Sequence, residues 1–256
     1  MACRENPGDV IASTTVPAST LTPAPATRGD DGVAPAPACS TEDYKIEIPP
    51  PAAADDAPFV DRLVRIVNEV YLEAEVGIWR DGFQRTSAAE VAEMIRAGEL
   101  AVAYLVNGNS RSSSISNKSD TNDDKDSNMA RSQPQPQPQP IGCVCIKKLP
   151  VGEDAGEEKG EFGMLALDAA HRGGGLGRAM VRFAEDRCRG RGLATVQLEL
   201  LFPTAFEHAF KARLQRWYAR MGYAEVRLGS FADDFPCLAP LLAGPCEYRI
   251  FEKRLV

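Results

Sequence analysis

A turn rich in glycine and arginine is the part of this sequence best suited to bind a phosphate. It follows a short apolar run and opens a predicted helix, whose unpaired N–H groups and positive dipole end favour an anion. Glycines have no Cβ atom, so the backbone can approach a ligand closely. The spacing therefore predicts an anion site, and the residues are Arg172-Gly173-Gly174-Gly175-Leu176-Gly177-Arg178.

Two common phosphate-binding motifs do not fit this turn. A Walker loop ends in Gly-Lys-Ser/Thr, but Gly177 is followed by Arg178 and Ala179. A dinucleotide fingerprint needs a third glycine at the position that Met180 occupies. Both motifs are therefore disfavoured.

The spacing Arg172-x-x-Gly175-x-Gly177 instead resembles Arg/Gln-x-x-Gly-x-Gly/Ala, the acetyl-CoA pyrophosphate signature of the GNAT superfamily of N-acetyltransferases. A later segment, 217–223, resembles the family's closing box, aromatic-Tyr-x-x-x-Gly-aromatic. The resemblance covers about residues 44–256. It implies an α/β fold: a mixed, mostly antiparallel seven-stranded sheet with a central parallel βαβ unit and about four flanking helices.

The resemblance also implies a function, the transfer of an acetyl group from acetyl-CoA to a primary amine of a small molecule or peptide within a ternary complex. The alternative is a non-catalytic acyl-CoA-binding regulatory protein of the same fold. In either case the resemblance assigns acetyl-CoA contacts to Leu165, Ala166, Leu167, Arg172, Gly173, Gly174, Gly175, Leu176, Gly177 and Arg178.

Acetyl transfer to an amine needs a proton acceptor and a proton donor for the leaving thiolate. Glu161 lies where histone-acetylating members of the superfamily carry a glutamate, and Glu199 on the next predicted strand is its rival, with water as a third alternative. Tyr218, four residues before Gly222, matches the family's usual general acid. Each glutamate could also be an ordinary strand carboxylate, and Tyr218 also fits the apolar stripe of its helix.

Three further residues are predicted to bind the acceptor. Glu75 and Trp79 lie between the first two predicted helices, a segment that helps to shape the acceptor site in the superfamily. His208 precedes the last long helix and could bind substrate or carry a proton, with helix capping as the alternative. No metal is expected, because Cys143-x-Cys145 has no second pair at zinc spacing.

Hydrophobic periodicity supplies the elements that must position these residues. Helices are predicted from Pro58, from Ser87 to Gly98 with a Ser-x-x-Glu capping box, from Leu176, and from Phe210 to Gly222. Strands are predicted at 44–48, 101–106, 141–149, 161–167, 195–200, 223–228 and 246–255.

Composition predicts one folded domain with two disordered segments. Residues 1–43, rich in Pro, Ala, Ser and Thr, are expected to form a disordered arm, and 107–140 a disordered insertion within the domain at 44–256. The net charge of −7 argues against nucleic acid as a partner, and no apolar run is long enough for a membrane partner.

The seven cysteines have no zinc spacing and are expected to serve as small apolar side chains. Together with an N-terminus that has no presequence pattern, they predict a cytoplasmic location, with the nucleus as the alternative. The oligomeric state is left open.

Overall fold

The structure is a computed structural model that describes residues 44–106, 139–149 and 158–255. The predicted arm and nearly all of the predicted insertion lie outside these residues. Seven described strands form one sheet in the order β1-β2-β3-β4-β5-β7-β6. The strands are β1 (Tyr44–Glu47), β2 (Leu100–Leu105), β3 (Pro140–Lys148), β4 (Lys159–Leu167), β5 (Thr195–Pro203), β6 (Ala224–Gly229) and β7 (Cys246–Arg254).

All neighbouring strands in this sheet are antiparallel except β4 and β5, which are parallel and are connected through a helix. The predicted mixed sheet with a central βαβ unit is therefore confirmed. The described helices are α1 (Ala57–Ala74), α2 (Ala88–Arg96), α3 (Leu176–Gly190), α4 (Ala209–Ala219) and the single turn α5 (Phe231–Asp234).

Local signals explain where the first two helices begin. Asp56 caps α1 by accepting a hydrogen bond from the Phe59 N–H, and Pro58 lies in the first turn. Ser87 and Glu90 form the predicted capping box of α2, with each side chain accepting from the other residue's backbone N–H. These caps satisfy N–H groups that have no acceptor inside the helix.

Several predicted boundaries differ from the structure. Pro140 already belongs to β3, although it was expected in the insertion, and β5 continues to Pro203 because its pairing with β7 continues to Cys246. The described residues also contain three short 3-10 helices that were not predicted from the sequence, at Pro51–Asp55, Ala169–His171 and Ala239–Leu241. Cysteines 143, 145 and 188 are buried free thiols as expected, whereas Cys237 is disulfide-bonded.

The sheet is covered by helices on both faces. One core contains apolar residues of α3 and α4, and the other contains those of α1 and α2. Phe162 of β4 packs into the first core, whereas Met164, two residues later, packs into the second. Two residues apart on a regular strand would face the same side, so β4 changes its orientation at this point. Met164 has a left-handed backbone with φ of 50°, and the β3–β4 register shifts beside it.

None of the described helices has both the length and the apolar character needed to cross a membrane.

The hairpin of β2 and β3 leads to a prediction about the segment between them. The Leu105 N–H donates to the Gln139 carbonyl at 3.1 Å, so the chain ends that a short turn must join are already adjacent. Replacing residues 107–138 with Asn-Gly should leave the far-UV circular dichroism spectrum and the melting temperature nearly unchanged. Loss of soluble, cooperatively melting protein would show that the replaced segment stabilises the domain.

Candidate active site

The site is built around an opening between β4 and β5. The two strands pair only from Lys159 to Glu161 and from Thr195 to Gln197, after which β5 continues alongside β7. The described residues contain no β4–β5 pairing beyond that point, so the later part of β4 has an edge without a strand partner. Leu165, Ala166 and Leu167 lie on this part of β4, where unpaired backbone N–H groups could stabilise a developing oxyanion.

Two carboxyl groups lie on one face of the sheet at the start of this opening. Glu161 is the register partner of Gln197, and Glu199 follows two residues later on the same face of β5. Burial raises the pKa of Glu161 to about 7, and the negative charge of Glu199 contributes in the same direction. Lys147 and Arg85 act against this rise. A carboxylate with this pKa can accept a proton near neutral pH.

Tyr218 of α4 lies inside the core formed with α3. Its ring lies 5.9 Å from those of Phe162 and Tyr223 and 4.8 Å from that of Trp217. Burial and the nearby Tyr71 phenol raise its pKa, so the hydroxyl remains protonated and can only donate a proton. Tyr71 belongs to α1 on the opposite face of the sheet.

The glycine turn has the backbone that an anion site requires. Gly173 and Gly175 have φ of 89° and 88°, in the left-handed region, and Gly175 is the N-cap of α3. A Cβ atom built on either glycine would meet nothing within 4 Å, so the space above this backbone is open. The N–H groups of Leu176, Gly177 and Arg178 in the first helical turn have no intrahelical acceptor. These features fit a pyrophosphate group.

The two arginines of this turn are exposed. Arg172 forms an ion pair with Glu73 at 2.9 Å, and its Nε donates to the Leu167 carbonyl at 3.3 Å. An incoming phosphate would compete with Glu73 for Arg172. Arg178 is exposed on the first turn of α3.

The predicted acceptor residue Glu75 lies at the end of α1 and is held by two buried partners. Lys211 Nζ lies 2.6 Å from Oε1, and the Trp79 indole N–H donates to Oε2 at 2.6 Å. The side chains of Lys211 and Glu75 are only 4% and 8% exposed. Burial by itself raises the pKa of Glu75, but Lys211, Arg85 and Trp79 together hold it below its ordinary value. The structure thus places Glu75 as an internal anchor that connects the α1–α2 loop to α4.

Trp79 forms a wall of a cavity beside this anchor. The cavity has a volume of about 240 Å³ and is lined by Tyr71, Phe83 and Arg85 as well. The Trp79 and Phe83 rings are stacked with centroids 4.0 Å apart, and the Arg85 guanidinium lies 5.0 Å from the Tyr71 ring centroid. The exposed side chains of Leu72 and Val76 add an apolar rim. This space suits a small molecule or the end of a longer chain.

His208 is the N-cap of α4. Its Nδ1 accepts a hydrogen bond from the Lys211 backbone N–H at 3.4 Å, and its buried Nε2 makes no hydrogen bond within the described residues. Burial and the neighbouring Lys211 lower its pKa, which favours the neutral imidazole. This geometry provides the capping role that the sequence analysis gave as the alternative.

Sequence reasoning missed several residues of this site. Lys211 belongs to α4, which carries an apolar stripe. A lysine that is buried in such a helix indicates a buried partner. Tyr248 alternates with polar residues on β7. This pattern places its side chain on one face of the sheet but does not identify the residues that it contacts. Tyr71, Arg85 and Gln197 gave no signal that distinguished them from ordinary helix, loop and strand residues.

Comparison with known proteins agrees with this geometry. The family model of the acetyltransferase (GNAT) family matches residues 117–223. An acetyltransferase of the GNAT family from Listeria monocytogenes 4b F2365 has a similar fold, with a TM-score of 0.52 and 14% identity over 83% of this chain and 95% of that chain.

Two further solved structures are similar at lower scores. The NatC complex bound to Gag peptide and CoA gives a TM-score of 0.49 and 13% identity over 84% of this chain and 99% of that chain. Aminoglycoside 6'-N-acetyltransferase complexed with coenzyme A gives 0.48 and 14% over 83% and 97%. The search of curated proteins finds no match.

The opened sheet and its glycine turn give the fold of the solved acetyltransferase from Listeria monocytogenes. The family match covers residues 117–223, less than half of the chain, and confirms the resemblance to the GNAT superfamily over that part. Among the described residues, no group of three or more His, Cys, Asp or Glu side chains is arranged to hold a metal ion.

The buried anchor leads to a prediction about stability. Lys211→Met should lower the free energy of unfolding by about 3–5 kcal/mol, because it leaves the Glu75 charge buried without its partner. The double variant Glu75→Gln, Lys211→Met should lose less than the single variant, since no charge remains buried. Urea unfolding monitored by tryptophan fluorescence measures both.

The exposed ion pair between Arg96 and Asp55, at 2.7 Å, provides the matched control. Arg96→Met should cost less than about 1 kcal/mol. Equal losses for Lys211→Met and the double variant would contradict the anchoring role of the pair.

Proposed function

We propose that this protein is an N-acetyltransferase that transfers the acetyl group of acetyl-CoA directly to a primary amine of a small molecule or peptide. The observation that supports this most strongly is the Glu161–Glu199 pair at the opening between β4 and β5. An acceptor amine is protonated in water at neutral pH and must lose a proton before it can attack. A partly buried carboxylate with a pKa of about 7 is suited to take that proton.

Acetyl-CoA would be held from two sides. The backbone from Gly173 to Arg178 would bind the pyrophosphate at the start of α3, where the left-handed glycines leave open space. The unpaired edge of β4 from Leu165 to Leu167 would lie alongside the acyl end. When bound, acetyl-CoA supplies the thioester carbonyl that the amine attacks.

The proton transfers follow from the protonation states of Glu161, Glu199 and Tyr218. Glu161 accepts the proton of the ammonium group, with Glu199 as its charged neighbour. The freed nitrogen lone pair forms the new C–N bond while the C–S bond breaks, and N–H groups of β4 stabilise the negative charge that develops on the carbonyl oxygen. Tyr218, which remains protonated, donates its proton to the departing thiolate. The second proton that the nitrogen loses as the amide forms restores the Tyr218 hydroxyl through solvent.

The acceptor would occupy the cavity beside Trp79. Its volume of about 240 Å³ accommodates one small amine or the terminal part of a peptide, and its aromatic walls suit an apolar or cationic group. Trp79 would contact the acceptor directly, and Glu75 would act through the loop that it anchors. His208 would line the mouth as a neutral side chain.

The glycine turn gives a prediction about acetyl-CoA binding. Gly175→Ala should weaken binding and cost about 1–2 kcal/mol of stability, because an L residue is strained at a φ of 88°. Gly190→Ala, in the last turn of the same helix with open space around it, should instead be neutral or stabilising. The measurement is the rise in melting temperature with acetyl-CoA, which should be retained by Gly190→Ala. A wild-type protein that shows no rise at saturating acetyl-CoA would contradict the proposed donor.

The role of Glu161 as the base leads to a prediction about the pH dependence of the rate. Wild-type kcat/KM should rise as the pH increases through about 7, because only ionised Glu161 can accept a proton. Glu161→Gln should lower the rate by about a hundredfold and remove this dependence, with little change in acetyl-CoA affinity. The assay is thiol release from acetyl-CoA with a panel of primary amines.

The same variant should change the pH dependence of stability. The pKa of Glu161 is raised in the folded protein from 4.5 to about 7, so the folded state binds this proton more tightly than the unfolded state. Wild-type stability should therefore fall as the pH rises between these values, and Glu161→Gln should lack that part of the fall. If Glu199→Gln abolished activity while Glu161→Gln retained it, the base would be Glu199.

A further inference from the structure

Glu199 has a donor on its own strand. Gln197 is buried on the same face of β5, and its Nε2 donates a hydrogen bond to Glu199 Oε1 at 3.0 Å. Glu161 lies opposite Gln197 in the parallel register, so this amide lies between the two carboxyl groups along the sheet. The donated bond favours the ionised form of Glu199.

The Tyr248 hydroxyl is a second group that can donate to the same carboxylate. It pairs with Leu201 in the β5–β7 register and is therefore the diagonal neighbour of Glu199, within reach of an aromatic side chain. Its hydroxyl is buried and makes no hydrogen bond of good geometry within the described residues, yet it is close enough to Glu199 to lower the pKa of that carboxyl. A buried hydroxyl without an acceptor is costly, so its nearest carboxylate is its natural partner.

The packing around Tyr248 leaves its ring little freedom. Phe231 and Phe235 contact the ring edge-on with centroids 5.5 and 5.9 Å away. On the other side lies Gly229 of β6, where a Cβ atom would stand only 2.7 Å from the Tyr248 ring. The hydroxyl is thus held in place by contacts from α5 and β6.

We propose that Gln197 and Tyr248 are positioning residues that keep Glu199 ionised, so that the proton taken from the acceptor amine resides on Glu161. The proposal rests on the proposed acetyltransferase function and assigns separate roles to the two carboxyl groups. Two neighbouring carboxylates resist simultaneous ionisation in a buried site, and the one with fewer donors takes up the proton first.

The two donors and the neighbouring carboxylate favour this division. Burial raises the pKa of both carboxyl groups, but Tyr248 and Gln197 oppose the rise at Glu199, whereas the Glu199 charge adds to it at Glu161. The remaining charged groups act in both directions: Arg227 on β6 lowers the pKa of Glu199 and Asp234 on α5 raises it, while Lys147 on β3 and Arg85 before α2 lower the pKa of Glu161.

The test measures the titration of the two carboxyl groups directly. The full chain, labelled with ¹³C at the glutamate carboxyl carbon, is titrated by NMR, and the two signals are assigned with Glu161→Gln and Glu199→Gln. We expect Glu161 to titrate at higher pH than Glu199. In Tyr248→Phe the midpoint of Glu199 should rise and that of Glu161 should fall, and Gln197→Met should act in the same direction. With the best amine of the panel, the pH at which kcat/KM rises should move down in Tyr248→Phe together with the Glu161 midpoint.

Tyr223→Phe is the matched control. It removes the hydroxyl of another buried tyrosine beside a glutamate: Tyr223 donates to Glu185 at 2.9 Å on the α3 side of the sheet. It should lose stability and leave both midpoints in place.

Two results would overturn the proposal: a wild-type protein in which Glu199 titrates above Glu161, or midpoints that neither Tyr248→Phe nor Gln197→Met moves. Gln197→Met alone carries the test if Tyr248→Phe does not fold. Shifted midpoints in a protein that acetylates no amine would support the division of roles while contradicting the proposed function.

Discussion

The structure depends on the early end of pairing between β4 and β5. A regular parallel pair would seal the sheet, bury the backbone N–H groups of β4 in hydrogen bonds and keep the two faces apart. Here pairing ends at Glu161 and Gln197, and β4 changes its orientation at Met164. Bulges re-aim side chains and end pairing next to functional sites in many sheets. The opening that results provides an unpaired edge and places two carboxyl groups at its start.

The buried carboxyl groups of this protein have two kinds of environment. Glu75 is neutralised by Lys211, and Glu185 of α3 accepts from Lys253 at 2.8 Å and from the Tyr223 hydroxyl. These carboxylates connect elements that are distant in sequence. Glu161 and Glu199 instead lie on one face of the sheet without a cation bonded to either, among the described residues, and their pKa values are raised by burial. Burial without full neutralisation is costly to stability, and such groups concentrate where a proton must be exchanged.

The loop that lines the cavity beside Trp79 is bonded to a segment far away in the chain. The Arg80 N–H donates to the Leu241 carbonyl and the Ala243 N–H to the Ile78 carbonyl, both at 2.9 Å, so the α1–α2 loop is bonded to the segment after α5. Trp79 also packs edge-on against Phe231 of α5. Because these contacts hold the α1–α2 loop, changes in the segment after α5 can alter the shape of the cavity without disturbing the sheet.

Much of this architecture is determined by local sequence. The periodicity of α1 to α4, the capping box at Ser87 and the glycine turn depend on neighbouring residues, and each was predictable because its physical cause lies within a few positions. The role of Glu75 could not be read in this way, since its partner Lys211 lies 136 residues away. The same holds for Tyr248, which meets Glu199 only through the β5–β7 register. Local sequence is enough to specify the helices, the strands and the glycine turn. Which buried carboxylates are neutralised and which are not is settled only in the folded protein, because it depends on contacts between distant strands and helices.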